Sequence, residues 1–337
     1  MNDININGKA IYTTKGAARE YGRVGCNFYT GCPHECEYCY LKRGITGKAL
    51  GGTEVRLKKC FKDESDAIHK LKMEAVRNID VLRKTGVFFS FTTDPMIPET
   101  RNLTVNAAMA LTQMGIPVRI LTKCAEWLDT NFGKTLFELN FFDNIDFGFT
   151  LTGRDDMEPK ASSNNDRIKA MRRLHSSGFK TWASIEPVID WRSAQKVIEM
   201  SLDCCDHYKI GLRSGVKKDY YELFPSGLYI DDITRLITSY GRTVYLKEST
   251  RDLLRRCSPK DFYDVVLSRT VDMDGNKLAN KKKGQKRQEK TGVVKADFQV
   301  AMDDGSWVDL DPCMQMQPAF AVKPGDKVRI IIENTED

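Results

Sequence analysis

The stretch Gly31-Cys32-Pro33-His34-Glu35-Cys36-Glu37-Tyr38-Cys39-Tyr40-Leu41 sets three thiols within eight residues, with three residues and then two between them. A loop of this kind can wrap its sulfurs around one small inorganic centre. Four-iron clusters normally take four cysteine ligands, so three would leave one iron open to a further ligand. Zinc, with His34 as fourth ligand, fits the same arithmetic. His34 lies between two of the cysteines, however, and would have to fold back sharply. Three ordinary buried thiols are the remaining reading.

Outward from the loop, the chain has the composition of a soluble globular protein, with 41% apolar and 29% charged residues. Its 337 residues give room for one large domain and a small one. No apolar run approaches membrane-spanning length, and the opening MNDININGKA lacks a signal peptide's apolar core. Of ten cysteines, the seven outside the loop (Cys26, Cys60, Cys124, Cys204, Cys205, Cys257, Cys313) show no framework spacing, so a reducing cytoplasm is expected. The net charge of +6 permits an anionic partner without requiring one.

Residues 1–23 are polar and irregular, with a small basic turn at Lys15-Gly16-Ala17-Ala18-Arg19. Residues 24–29 read as a strand that delivers the chain into the cysteine loop. A Gly-rich, basic passage, 44–59, follows. Ile68, Leu71, Ala75, Ile79 and Leu82 then recur at three- and four-residue intervals, predicting a helix over 64–84 that Gly86 stops. Strand 87–91 comes next, and the module repeats. Helices are expected at 102–114, 129–140, 163–177, 191–203 and 227–240, with strands at 118–122, 146–152, 181–185, 207–212 and 243–246. Such alternation predicts an α/β fold around a parallel sheet, as a barrel, a partial barrel or a doubly wound open sheet.

In parallel α/β barrels, function collects past the C-terminal ends of the strands. Polar groups stand at every such exit here. They are the cysteines, Thr92-Thr93-Asp94-Pro95, Lys123-Cys124, Thr150 with Thr152-Gly153-Arg154, Glu186-Pro187, Arg213-Ser214 and Lys247-Glu248. Each has a plainer use as well. Asp94 suits a helix-entry cap, Lys123 a solvated surface lysine, and Glu186 a structural pair with Arg154 or Lys247.

The pattern Cys-x-x-x-Cys-x-Tyr-Cys-Tyr resembles the signature of the radical S-adenosylmethionine superfamily, and GCPHECEYCY is similar to its spore photoproduct lyase-like branch. The resemblance covers residues 16–250 and implies a partial (β/α)6 TIM-like barrel. It implies a four-iron, four-sulfur (4Fe-4S) cluster on Cys32, Cys36 and Cys39. S-adenosylmethionine would bind the open iron and be cleaved to methionine and a 5′-deoxyadenosyl radical. In such proteins, residues in the places of Thr92, Thr93 and Asp94 hold the amino group of S-adenosylmethionine. A lysine like Lys123 pairs with its carboxylate, and hydroxyls like those of Thr150 and Thr152 meet its ribose. The backbone at Tyr38 approaches adenine. Tyr40, Cys124 and Glu186 are candidates for the chemistry itself. A flavodoxin- or ferredoxin-type reductant is implied as a partner. One departure matters: photoproduct lyases carry a hydrogen-donating cysteine three residues before this aspartate, and here Phe91 stands there. Thymine-dimer repair is therefore not implied. Cys124, at a neighbouring strand exit, is a candidate replacement, although a buried bystander thiol is the favoured reading.

From residue 258 the composition changes. Residues 281–290 hold six basic residues against one acid and read as a solvated linker or as a phosphate-binding segment. Strands are expected at 293–302, 307–310 and 328–333, with turns at 303–306 and 323–327, forming a small β module over 293–337 after a helix and basic linker, 258–292. Phe298, Trp307 and Phe320 suit either a small core or a base-stacking surface. A nucleic acid or nucleotide is the expected substrate, with a protein or peptide second. A zinc-loop nucleic-acid-binding protein is the non-enzymatic alternative.

Overall fold

The computed structural model describes residues 4–130, 133, 144–217, 219–221 and 225–278, and the backbone of three later strands. The chain opens with β1 (Ile11–Thr13), a short 3-10 turn at Gly16–Glu20, β2 (Val24–Cys26) and β3 (Tyr29–Thr30). Then come α1 (Gly44–Leu50), β4 (Arg56–Leu57), α2 (Glu64–Arg77), α3 (Ile79–Thr85) and β5 (Val87–Phe89). The repeat continues with α4 (Arg101–Gln113), β6 (Val118–Thr122), β7 (Ile145–Thr150), α5 (Asn164–Ser176) and β8 (Lys180–Val188). It closes with α6 (Trp191–Ser201), β9 (His207–Leu212), α7 (Ser226–Ser239), β10 (Thr243–Leu246), α8 (Glu248–Cys257) and α9 (Lys260–Ser268).

The central sheet has eight strands in the order β1-β2-β5-β6-β7-β8-β9-β10. From β2 onward every pairing is parallel, and β1 adds an antiparallel edge, Ile11 opposite Cys26. The sheet is not closed, so the fold is the expected partial barrel, with the seven parallel strands that the alternation predicts, one more than the (β/α)6 count the resemblance implies. The antiparallel edge strand was not anticipated, because three residues in a polar lead-in carry no readable period.

Three local differences have physical causes. The helix expected over 64–84 breaks at Asn78, whose φ of −119° and ψ of 21° leave the helical region and divide α2 from α3. The strand expected over 24–29 splits, and β3 leaves the main sheet to pair antiparallel with β4. The third concerns 129–140: Glu126–Asp129 form a 3-10 turn, and most of the remainder lies outside the described residues.

Alternation along the strands divides the sheet into two faces. Phe89, Ile120, Phe147, Phe149, Ala183, Ile185 and Ile210 are buried in the apolar core. Each large apolar side chain so buried contributes about 1.5–3 kcal/mol before entropy is charged against it. The opposite, inner face carries Phe88, Trp182, Lys209 and Tyr245, with Tyr21 laid across them.

Two compact units, residues 1–280 and 281–337, make up the chain. In the second, β11 (Lys295–Ala301), β12 (Trp307–Leu310) and β13 (Val328–Glu333) form an antiparallel sheet in the order β12-β11-β13. The basic run 281–290, the turns at 303–306 and 323–327, and Phe320 lie outside the described residues, as do the side chains of Phe298 and Trp307. Among the described residues no helix is long and apolar enough to cross a membrane.

Candidate active site

The cysteine loop is clamped between two segments. On one side, the Gly31 amide donates to Leu50 O at 3.1 Å and the Cys32 amide to Gly52 O at 2.8 Å. Gly31 has a φ of 82°, and a Cβ there would stand 2.0 Å from the Glu54 carbonyl oxygen, so the clamp requires glycine. On the other side, the Glu37 amide donates to Met157 O at 3.0 Å, and Lys160 pairs with Glu35 at 2.7 Å. Cys36 and Tyr38 pack there with Met157 and Ile189.

His34 ties the loop to the exits of β5 and β6. Its Nδ1 faces Lys160 O at 3.0 Å and its Nε2 faces Asp94 Oδ2 at 2.9 Å. A carbonyl and a carboxylate only accept, so both ring nitrogens donate and the ring is an imidazolium. Burial opposes that charge, but the hydrogen bond and charge of Asp94 outweigh it and raise the ring's pKa. A ring engaged on both nitrogens has no lone pair for zinc, which counts against His34 as a fourth zinc ligand. Asp94 also accepts from Thr122 Oγ1 at 2.6 Å, the Lys123 amide at 2.7 Å and the Met96 amide at 2.9 Å. Four donors fill this buried carboxylate. Burial alone would raise its pKa, yet His34, Thr122 and Lys123 hold it at about 2.

A second tie was not read from the sequence. Glu158 and Arg167 form an ion pair at 2.8 Å with both side chains fully buried. Glu158 also accepts from the Tyr38 hydroxyl, and from Thr152 Oγ1 at 3.1 Å. Arg167 donates to Thr150 O at 2.9 Å and to Lys123 O at 3.2 Å. One buried pair thus joins the cysteine loop to the exits of β6 and β7. Arg167 sits beside Ile168, Met171 and Leu174 on the buried stripe of α5, and a charge on such a stripe is a readable sign of a buried partner. Glu158, in an irregular loop, gives no such sign.

The other expected residues fall into two groups. Lys123 carries its ammonium 5.6 Å from the centre of the Tyr38 ring and makes no ion pair among the described residues. Burial works against its charge, but Cys36 and Glu158 nearby raise its pKa. Thr93 is buried with its hydroxyl unpartnered. These two groups remain available to a ligand. Others are engaged: Thr92 Oγ1 donates to Tyr29 O at 2.5 Å, and the Tyr40 hydroxyl donates to Phe91 O. Cys124, a buried thiol, donates to Glu126 at 3.2 Å, and burial with Asp94's charge pushes its pKa far up. Glu186 accepts from Lys247 Nζ at 2.6 Å and from the Tyr21 hydroxyl, which also lies 2.7 Å from Ser184 Oγ. Lys247, not Arg154, is its cation; Arg154 pairs with Asp156 and Asp190.

The donor set fits a three-thiolate centre. Cys32, Cys36 and Cys39 are free thiols on one loop. Burial, with Asp94's charge, pushes Cys32 up to about 12, and burial raises Cys36. Such thiols ionise only beside a cation, and a bound metal supplies one. Among the described residues no three Cys, His, Asp or Glu side chains already stand together as a metal site.

No protein-family model matches the chain. An uncharacterized protein of Methanocaldococcus jannaschii is 27% identical over 169 residues, 48% of this chain. The chain spans 59% of that relative's length. Among solved structures, spore photoproduct lyase complexed with dinucleoside spore photoproduct overlaps 61% of this chain and 58% of its own, at 18% identity and a TM-score of 0.47. Streptococcus suis SuiB bound to S-adenosylmethionine overlaps 64% of this chain and 48% of its own, at 15% identity and a TM-score of 0.43.

Proposed function

We propose that this chain is a radical S-adenosylmethionine enzyme whose substrate is a nucleic acid or nucleotide. The observation that carries the reading is the placement of a three-thiol loop at the C-terminal end of a parallel sheet, beside an unpaired lysine and a buried, unpartnered hydroxyl. When bound, a 4Fe-4S cluster supplies the electron that cleaves the sulfonium of S-adenosylmethionine, yielding the radical that takes hydrogen from substrate.

The chain's own residues hold and orient. Cys32, Cys36 and Cys39 are the cluster ligands in this reading. Lys123 offers a desolvated cation to the carboxylate of S-adenosylmethionine. Thr93 is the open hydroxyl of the Thr-Thr-Asp segment, because Asp94 already has four donors. Thr150 and Thr152 stand at the exit of β7 for the ribose, with Thr152 held by Glu158. The net positive charge and the family resemblance support a polyanionic substrate. A small reducing protein of flavodoxin or ferredoxin type would deliver the electron.

Metal content tests the reading. Anaerobic reconstitution with iron and sulfide should load about four irons per chain, and each of Cys32→Ala, Cys36→Ala and Cys39→Ala should lower that content sharply. Stoichiometric zinc with no iron would refute it. Lys123→Ala should keep the iron and weaken S-adenosylmethionine binding; unchanged affinity would remove Lys123 from the site.

A further inference from the structure

The segment from Tyr40 to Lys59 holds six basic residues and one acid, Glu54. Lys42, Arg43, Lys48, Arg56 and Lys59 are exposed. The one acid is already paired, with Arg56. Lys42 Nζ donates to Glu35 O at 2.7 Å and Arg43 Nη1 to Ser214 O at 3.0 Å. Those carbonyls orient the two cations without neutralising them. Lys48 and Lys59 make no ion pair among the described residues. Some basic groups on the outer helices are neutralised, Arg172 by Asp203, Arg173 by Asp129, Lys169 by Asp166 and Lys260 by Asp264, while others such as Arg192 and Lys196 make no ion pair among the described residues. What sets the strip apart is density, with five exposed cations against one acid, already paired, within twenty residues.

The strip is also fixed to the site. Leu50 O and Gly52 O accept from Gly31 and Cys32, β4 pairs with β3, and Arg43 reaches the exit of β9. Two large apolar side chains stand out on it, Ile45 at 86% exposure and Tyr40 at 50%. Tyr40 directly follows Cys39, and its hydroxyl is anchored on Phe91 O, so the ring is presented at a set place beside the cysteine loop.

We propose that the strip Tyr40–Lys59 is the docking surface for a single-stranded or locally unpaired nucleic acid. Lys42, Arg43 and Lys48 meet the phosphates, and the ring of Tyr40 stacks on a base beside the loop. An acidic peptide would satisfy the cations but has no use for a half-exposed ring next to the reacting centre. Base stacking on such a ring is sequence-tolerant, and an enzyme that acts on a base must take it out of the stack. The inference rests on the cysteine loop and the strand exits around it being the active site of a nucleic-acid-modifying enzyme.

The test uses the full, reconstituted chain and a fluorescein-labelled, mixed-sequence single-stranded oligonucleotide, with anisotropy read across a salt series. Each phosphate contact adds about −0.7 to the slope of log K against log salt. The triple variant Lys42→Glu/Arg43→Glu/Lys48→Glu should lose roughly two units of slope and on the order of a hundredfold in affinity at low salt. Lys180→Glu/Arg192→Glu/Lys196→Glu makes the same change of net charge on exposed residues outside the strip and should lose far less. Tyr40→Ala should weaken binding on the order of tenfold with the salt slope unchanged. Lys48→Glu alone, which touches no carbonyl contact, should show part of the loss and guards against misfolding of the triple variant. If the strip and control triples bind alike, the strip is not the docking surface, while a wild-type chain that still binds leaves the substrate reading standing. A wild-type chain that does not bind overturns both. Equal binding of poly-glutamate, insensitive to Tyr40→Ala, overturns the nucleic acid in favour of an acidic peptide.

Discussion

Removing either member of the Glu158–Arg167 pair should be among the most damaging single changes in the chain. Both side chains have no solvent exposure, and they stand 2.8 Å apart. Glu158→Leu strands the guanidinium of Arg167 with only the carbonyls of Thr150 and Lys123 as acceptors, and releases the Tyr38 hydroxyl. A buried ion pair broken from one side costs about 3–5 kcal/mol. Arg167→Met should cost toward the lower end, because Glu158 keeps Tyr38 and Thr152 as donors. The double change Glu158→Leu/Arg167→Met leaves no buried charge. It should cost less than Glu158→Leu alone, so the coupling should exceed the cost of Arg167→Met, that is, more than about 3 kcal/mol. Urea unfolding of the three variants and wild type, followed by far-UV circular dichroism, supplies the numbers, with the m-value checked for constancy. Simple addition of the two single costs in the double variant would mean the charges do not need each other, and the idea of a buried latch would be wrong.

Two further outcomes follow from other positions. Lys209 is buried, donates to Glu20 O at 2.7 Å and lies near the rings of Tyr21, Trp182 and Tyr245. Burial first, then the charges of Arg119 and Lys247, lower its pKa to about 7 against the partial support of Glu20 and Glu186. An unfolded lysine titrates at about 10.4, so between the two values the unfolded chain binds more protons and this group makes stability rise with pH. Lys209→Met should abolish that rise between neutral and mildly alkaline pH; parallel pH profiles for variant and wild type would contradict it. Gly31→Ala places a Cβ against the Glu54 carbonyl at a positive φ, so it should displace the loop and reduce iron uptake on reconstitution. Uptake equal to wild type would show that the clamp does not set the loop.

Much of the fold was legible because helix and strand periods alternate cleanly and glycine closes the helices, as Gly86 does at φ 67° after α3. The parallel order of the sheet followed from that alternation. The edge strand β1 and the β3–β4 pair were not legible, since two or three residues carry no period. At the site, the cysteine loop and the strand exits were visible as residue types at fixed spacings. What those residues do to one another was not. Asp94 and His34 are 60 positions apart, and Tyr38 and Glu158 120 apart. Their pairing is made only when the sheet brings the strand exits together. Glu186 had two candidate cations in the sequence, and the geometry selects Lys247, which follows β10 directly and donates to it, while Arg154 is held by Asp156 and Asp190.

The most direct measurement is of 5′-deoxyadenosine released when the anaerobically reconstituted, dithionite-reduced chain is mixed with S-adenosylmethionine. It should be made beside a variant with Cys32, Cys36 and Cys39 all replaced by alanine. Release by the wild-type chain that vanishes in the variant is the expected result. A fully iron-loaded chain that gives no product, with and without added oligonucleotide, would contradict the proposed chemistry.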